Sequence, residues 1–221
     1  MMSKRSWISW VRLTVTIKQL FEDLCRKPTV PRRERGPGAP ASRARWGPKG
    51  LSNPKKKVVF VSGHFNNFEL MAMQLENSGL KVAAIYRPLN NIFLNGIMES
   101  IRLNYICKRQ IKKGKSGTRD LLQLFKEGHS IALMIDQRVS EGIKSELFER
   151  PALTTTIPAQ LVKKYNIDVI PIYIERKNNF YFKMSVDEPI TFDKNKSISE
   201  ITAKLNKVLE KMILKNPEQW I

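Results

Sequence analysis

The chain has 221 residues and a formal charge of +19, of which +12 falls in residues 1–57, where fifteen Lys or Arg face three Asp or Glu. That length suits one α/β domain with a proper core, with two small domains as the other option. Two unpatterned cysteines, Cys25 and Cys107, exclude a disulfide framework and suit a reducing compartment. A basic surface attracts acidic proteins, anionic lipid headgroups, phosphorylated sugars or nucleic acid, and charge alone does not choose among them.

Residues 7–24 set Trp7, Trp10, Val11, Leu20 and Phe21 among scattered charges, the pattern of an amphipathic helix. No run there reaches the roughly 18 apolar residues that span a bilayer, so a basic, tryptophan-bearing helix over 1–27 either lies on an anionic membrane surface or packs on the core. Residues 28–50 carry five prolines, four glycines and five arginines, a linker composition that extends to residue 57. Beyond it, apolar runs predict strands over 58–62, 82–86, 131–135, 168–175 and 180–186, the last two joined by a turn at Lys177-Asn178-Asn179. Helices are expected over 67–78, 91–104, 117–127, 155–165 and 198–214. In the last, Ile198, Ile201, Leu205, Val208, Leu209 and Met212 form one apolar face. This alternation, closed by a hairpin, predicts a single α/β domain over 58–221 with a mixed, mostly parallel sheet covered by helices. Residues 138–154 read as a loop, either an entrance to a site or a surface excursion.

The segment Gly63-His64-Phe65-Asn66-Asn67-Phe68-Glu69 lies between the first strand and the first helix. A histidine on that turn sits at the carboxyl end of a strand, where open α/β sheets form ligand crevices. Glu69, in the first helical turn, can fold back to the imidazole, fix its tautomer and stabilise the imidazolium formed when a hydroxyl proton is taken. The alternative is structural: Asn66 and Glu69 have capping-box spacing, and His64 would then be a turn residue without chemistry. Metal and nucleotide chemistry find no footing. Two histidines and two cysteines lack zinc spacing, and Gly114-Lys115-Ser116 has no earlier glycine at the Walker A distance. His129 reads as a surface residue of the turn after a helix.

The string VVFVSGHFNNFELMAM resembles the first motif of the bacterial lipid A biosynthesis acyltransferases, H-x-G-N-W-E, with Asn66 at the glycine and Phe68 at the tryptophan. Five further segments are similar to that family's blocks in the same order: Ala84–Asn91, Ile131–Gln137, Leu147–Thr154 with Glu149 in place of a glycine, Val169–Arg176, and the terminal Asn216-Pro217-Glu218-Gln219-Trp220. The resemblance implies transfer of a fatty acyl group from acyl carrier protein to a hydroxyl of a lipid A precursor, with no cofactor and no nucleic acid partner. It assigns the catalytic pair to His64 and Glu69. Acceptor binding and site shape fall to Arg87 and Asp136, with Asn67 and Gln137 as polar neighbours. The backbone N–H groups after Asn66 and the Arg87 guanidinium are the expected oxyanion donors. A separate possibility is that Arg87 pairs with Asp136 and simply ties two loops. The implied location is the cytoplasmic face of a bacterial inner membrane, peripheral because no spanning segment is evident. The family pattern usually has an anchor before the histidine motif and an aromatic, basic stretch after the last block. The chain therefore reads as shortened at both ends, and an inactive remnant or a non-catalytic basic module binding anionic lipid or nucleic acid stands as the rival reading.

Overall fold

Runs of apolar residues uninterrupted by charge become the inner strands, because both faces of a parallel strand are covered. The structure, a computed structural model, describes residues 57–178 and 181–221; the helix and linker expected over 1–27 and 28–57 lie outside them except for Lys57. Strand β1 (Val59–Ser62) is buried along its whole length. It pairs in parallel with β4 (Ser130–Met134) on one side and β7 (Val169–Asn178) on the other. Strand β2 (Val82–Tyr86) joins β4, and the short β3 (Gln110–Lys112) forms the edge beyond it. With β8 (Tyr181–Val186) antiparallel to β7, the sheet order is β3-β2-β4-β1-β7-β8. This is the mixed, mostly parallel sheet expected. The turn foreseen at Lys177-Asn178-Asn179 is displaced: β7 continues through Asn178, which pairs with Tyr181 after a register shift that follows Arg176.

Five helices connect or flank the strands: α1 (Glu69–Asn77), α2 (Ile92–Ile101), α3 (Lys115–Lys126), α4 (Ile157–Tyr165) and α5 (Ile198–Lys215). A wider π-helical turn, Arg102–Ile106, extends α2. Helix α5 opens with a full capping box between Ser197 and Glu200 and buries Ile201, Leu205, Leu209, Met212 and Ile213. That burial, with the cap, makes it the best-anchored helix of the fold.

The stretch read as a loop over 138–154 contains a hairpin instead, β5 (Ile143–Leu147) against β6 (Arg150–Thr154). Its two turn residues, Phe148 and Glu149, have φ of 50° and 59°. Two-residue hairpins of this kind need left-handed backbone at both central positions, which asparagine and glycine usually provide. Phe-Glu carries none of that signal, so the hairpin is invisible to pattern. Asn206 of α5 secures it: its amide donates to the Glu146 carbonyl at 2.9 Å and to Thr154 Oγ1 at 3.0 Å.

Candidate functional site

Strand β1 ends at Ser62, and Gly63 then passes so close to α5 that a Cβ there would lie 3.0 Å from both Leu209 and Phe65. His64 follows at the carboxyl end of the central strand. The chain reverses at Asn66, whose φ of 42° is left-handed; asparagine tolerates that region better than other non-glycine residues. The carboxyl-terminal segment lies antiparallel along this turn. Asn66 N–H donates to the Gln219 carbonyl at 2.7 Å, Ile221 N–H donates to the His64 carbonyl at 3.0 Å, and Phe65 bridges Trp220. Phe65 is fully buried against Tyr173, with ring centroids 4.9 Å apart.

The carboxylate on His64 is Asp136, from the turn after β4. Asp136 Oδ1 lies 2.7 Å from His64 Nδ1, and Oδ2 accepts the His64 backbone N–H at 2.6 Å and the Trp220 indole N–H at 2.9 Å. The Asp136 side chain is only 2% exposed. Burial by itself would raise its pKa, but the hydrogen bonds from the His64 ring and backbone, the His64 charge and the Trp220 N–H together hold it below the ordinary carboxylate value. With Nδ1 engaged, Nε2 is the nitrogen left to meet a substrate. Phe68 meets the imidazole edge-on at 4.8 Å and limits its rotation.

This geometry corrects the expectation that Glu69 orients His64. Glu69 is the first residue of α1, and its Oε1 accepts from Arg102 Nε at 2.9 Å and Nη2 at 2.6 Å. The guanidinium draws the carboxylate away from the turn. No capping box forms either: the helix start has no side-chain cap, and Asn66 Oδ1 instead accepts from Arg176 Nε at 3.2 Å. The Arg87–Asp136 tie does not form either: the partners of the Asp136 carboxylate are His64 and Trp220.

Beside His64 opens a cavity of about 390 Å³ between one face of the sheet and α1, within the range of small-molecule sites. Its inner wall is apolar, with Phe60, Met71, Leu75, Ala132 and Met134. Its polar lining includes Arg87, Arg102, Lys113 and Gln137. Lys113 donates to Gln137 Oε1 at 3.1 Å, and partial desolvation followed by the neighbouring Arg87 charge lowers its pKa. Arg102 is almost fully buried, its Nη1 finds no acceptor among the described residues, and its guanidinium lies 5.2 Å from the Tyr86 ring centre. Of the residues expected here, His64, Glu69, Arg87 and Gln137 line the cavity, and Asp136 stands behind His64. Asn67 does not line it; the Asn67 carbonyl accepts from Leu70 N–H at 3.2 Å. The Leu70 and Met71 N–H groups are engaged in this way, and those of Asn67, Phe68 and Glu69 remain without a backbone acceptor among the described residues.

Sequence reasoning missed Trp220, Arg102 and Lys113. Trp220 lies 84 positions from the carboxylate it holds. Arg102 follows the mixed segment Ile92–Ile101, whose residues do not mark it as the partner of Glu69. Lys113 had no signal among so many lysines. Elsewhere, His129 is partly buried, with Nδ1 3.2 Å from the Leu124 carbonyl. Cys107 is buried, and burial pushes its thiol pKa up to about 11, which keeps it protonated and poorly nucleophilic at neutral pH. No group of three or more His, Cys, Asp or Glu among the described residues could hold a metal ion.

The family model of the bacterial lipid A biosynthesis acyltransferases matches residues 49–221. No curated protein matches the chain.

Proposed function

The chain belongs to the bacterial lipid A biosynthesis acyltransferases, and from that premise we propose that it moves a fatty acyl group from acyl carrier protein to a hydroxyl of a lipid A precursor. The observation that carries this reading is His64, fixed through Nδ1 by a buried carboxylate, at the mouth of a chamber with an apolar inner wall. In the proposed reaction, Nε2 takes the acceptor hydroxyl proton as the oxygen attacks the thioester carbonyl. The negative charge that develops on the carbonyl oxygen is met by N–H groups at the start of α1 and by a mouth cation. Collapse of the tetrahedral intermediate breaks the C–S bond, and the imidazolium returns its proton to the departing thiolate. Asp136 stays ionised throughout, holds the productive tautomer and stabilises the imidazolium.

Arg87 and Lys113 are the proposed contacts for a phosphate of the acceptor. Gln137 positions Lys113. Glu69 is a positioning residue that holds Arg102 against the cavity wall. The fatty chain occupies the apolar inner wall. The proposed location is the cytoplasmic face of an inner membrane, reached peripherally by the described domain, in which no helix is long and apolar enough to cross a bilayer.

The test is transfer from an acyl-acyl carrier protein to a tetraacylated, phosphorylated lipid A precursor in detergent, read by product mass. His64→Ala is expected to lower the rate ~10²–10⁴-fold with the fold retained. Full activity in that variant would remove His64 as the base. No product from the folded wild-type chain with any acyl length would overturn the transfer reading and favour a non-catalytic module.

A further inference from the structure

Helix α2 is built inside out. Its half-buried side carries Asn95 and Glu99 beside Met98. There Glu99 accepts from Tyr86 Oη at 2.8 Å and from Asn95 Nδ2 at 2.9 Å, and it pairs with Lys112 Nζ at 3.1 Å. The opposite side carries Phe93, Leu94 and Ile97, which are 88%, 53% and 58% exposed, and Ile92 at the helix start is 85% exposed. No residue of the helix is buried. The element is nevertheless well formed, since Asn91 caps its start by accepting from the N–H groups of Phe93 and Leu94. Exposed apolar side chains scattered singly are ordinary; a contiguous face on one capped helix is not.

Two observations identify what covers this face. The first is charge. Within residues 87–118, Arg87, Lys108, Arg109, Lys112 and Lys113 are exposed, and the one acidic residue, Glu99, has its carboxylate already engaged. A second copy of the same surface would bring like charges together, whereas anionic headgroups would neutralise them. The second is position. Leu89 and Asn90, immediately before the helix, line the mouth of the His64 cavity, whereas Phe93 and Ile97 do not. A bilayer against α2 would therefore bring the cavity mouth to the headgroup level, where an amphipathic acceptor presents its polar part.

We propose that α2 is an interfacial helix that docks the domain on an anionic lipid bilayer, with Phe93 and Ile97 in the acyl boundary and Arg87, Lys112 and Lys113 at the headgroups. The assignment of the cavity mouth to an acceptor lipid rests on the proposed function; the docking itself does not. The apolar face supplies insertion and the cations supply attraction to anionic lipid, the two ingredients of interfacial helices.

The test is sedimentation of the full chain with phosphatidylcholine vesicles prepared with and without phosphatidylglycerol. Binding is expected to require the anionic lipid, to weaken with salt, and to fall ~10-fold or more in Phe93→Gln/Ile97→Gln. An environment-sensitive dye on Ile97→Cys, in a Cys25→Ser background because Cys107 is buried, is expected to shift to the blue on these vesicles. Unchanged vesicle binding by the double variant, together with an unshifted dye, would overturn the proposal and place the contact elsewhere in the chain. So would a wild-type dimer that the double variant dissociates, which would identify a second copy as the occupant. Transfer in detergent separates the two readings, because the double variant should retain it whether or not vesicle binding is lost.

Discussion

On one side of the cavity, His64, Asp136 and Trp220 bind one another through contacts of 2.6 to 2.9 Å, and the carboxylate is buried. Around the mouth, Arg87 and Lys113 have no carboxylate partner among the described residues, and Lys113 has only the Gln137 amide oxygen. The first region needs nothing added to be complete. The second is an excess of positive charge that an anionic ligand would neutralise. On the proposed function, the difference would separate a preorganised reacting centre from a recognition surface, with rate expected to depend on one and affinity on the other.

The sharpest way to break that division is Asp136→Asn. An amide opposite Nδ1 no longer enforces the productive tautomer, so kcat should fall ~10²-fold or more while KM stays near wild type. The same variant tests the linkage to pH. The native pKa of Asp136 is depressed, so its contribution to stability is present above the ordinary value near 3.8 and is lost as pH falls through the lower native value. Acid unfolding curves of wild type and Asp136→Asn should therefore converge below that point and diverge above it. A rate loss confined to KM would merge the two regions.

Arg102 belongs to neither, a buried cation of the cavity wall that is fastened by Glu69. Glu69→Gln leaves its buried guanidinium without a counter-charge and should cost ~1–3 kcal/mol of stability in denaturant melts. If Glu69 acted directly on His64 instead, the loss would fall on kcat with the melt unchanged. Lys113→Ala should raise KM for the phosphorylated acceptor ~10-fold with little change in kcat, the cost of one charge-assisted contact. That effect should shrink at high salt. An equal fall in kcat would move Lys113 into the reacting centre. The smallest expected effect lies away from both regions, at the β5–β6 turn. Glu149→Gly relieves a left-handed φ and should raise stability by up to ~1 kcal/mol without altering transfer.

Much of this was readable from residue order, and the failures have physical causes. The strands over 58–62 and 82–86 and the helix over 198–214 were legible because uninterrupted apolar runs and 3–4 spacing leave few alternatives. His64 was legible from its place after a strand. Its partner was not, because sequence proximity favoured Glu69 and nothing in the sequence shows that Arg102 would compete for that carboxylate. Asp136 was marked as a site residue but given a different task. The β5–β6 hairpin escaped because Phe148-Glu149 occupy backbone that turn residues normally signal. In the family motifs the resemblance drew on, Asn66 and Glu149 both stand at glycine positions, and both have positive φ here. Those two departures mark left-handed backbone that a non-glycine side chain has to tolerate. Helix α2 was legible as a helix over 91–104, but nothing in that reading showed that Phe93 and Ile97 face outward.

The bridge between Phe65 and Trp220 also bears on how the protein comes into being. Ribosomes deliver the chain from its amino end, so β1 emerges long before the segment that closes over it. Until Trp220 has left the exit tunnel, Asp136 lacks one of its three hydrogen bonds and the His64 turn lacks its flanking backbone. Contacts of such long sequence separation form late and slowly. A nascent chain that stops short of Trp220 should therefore hold most of its strands before the His64 turn is closed, and on the proposed function such an intermediate should be largely folded yet inactive.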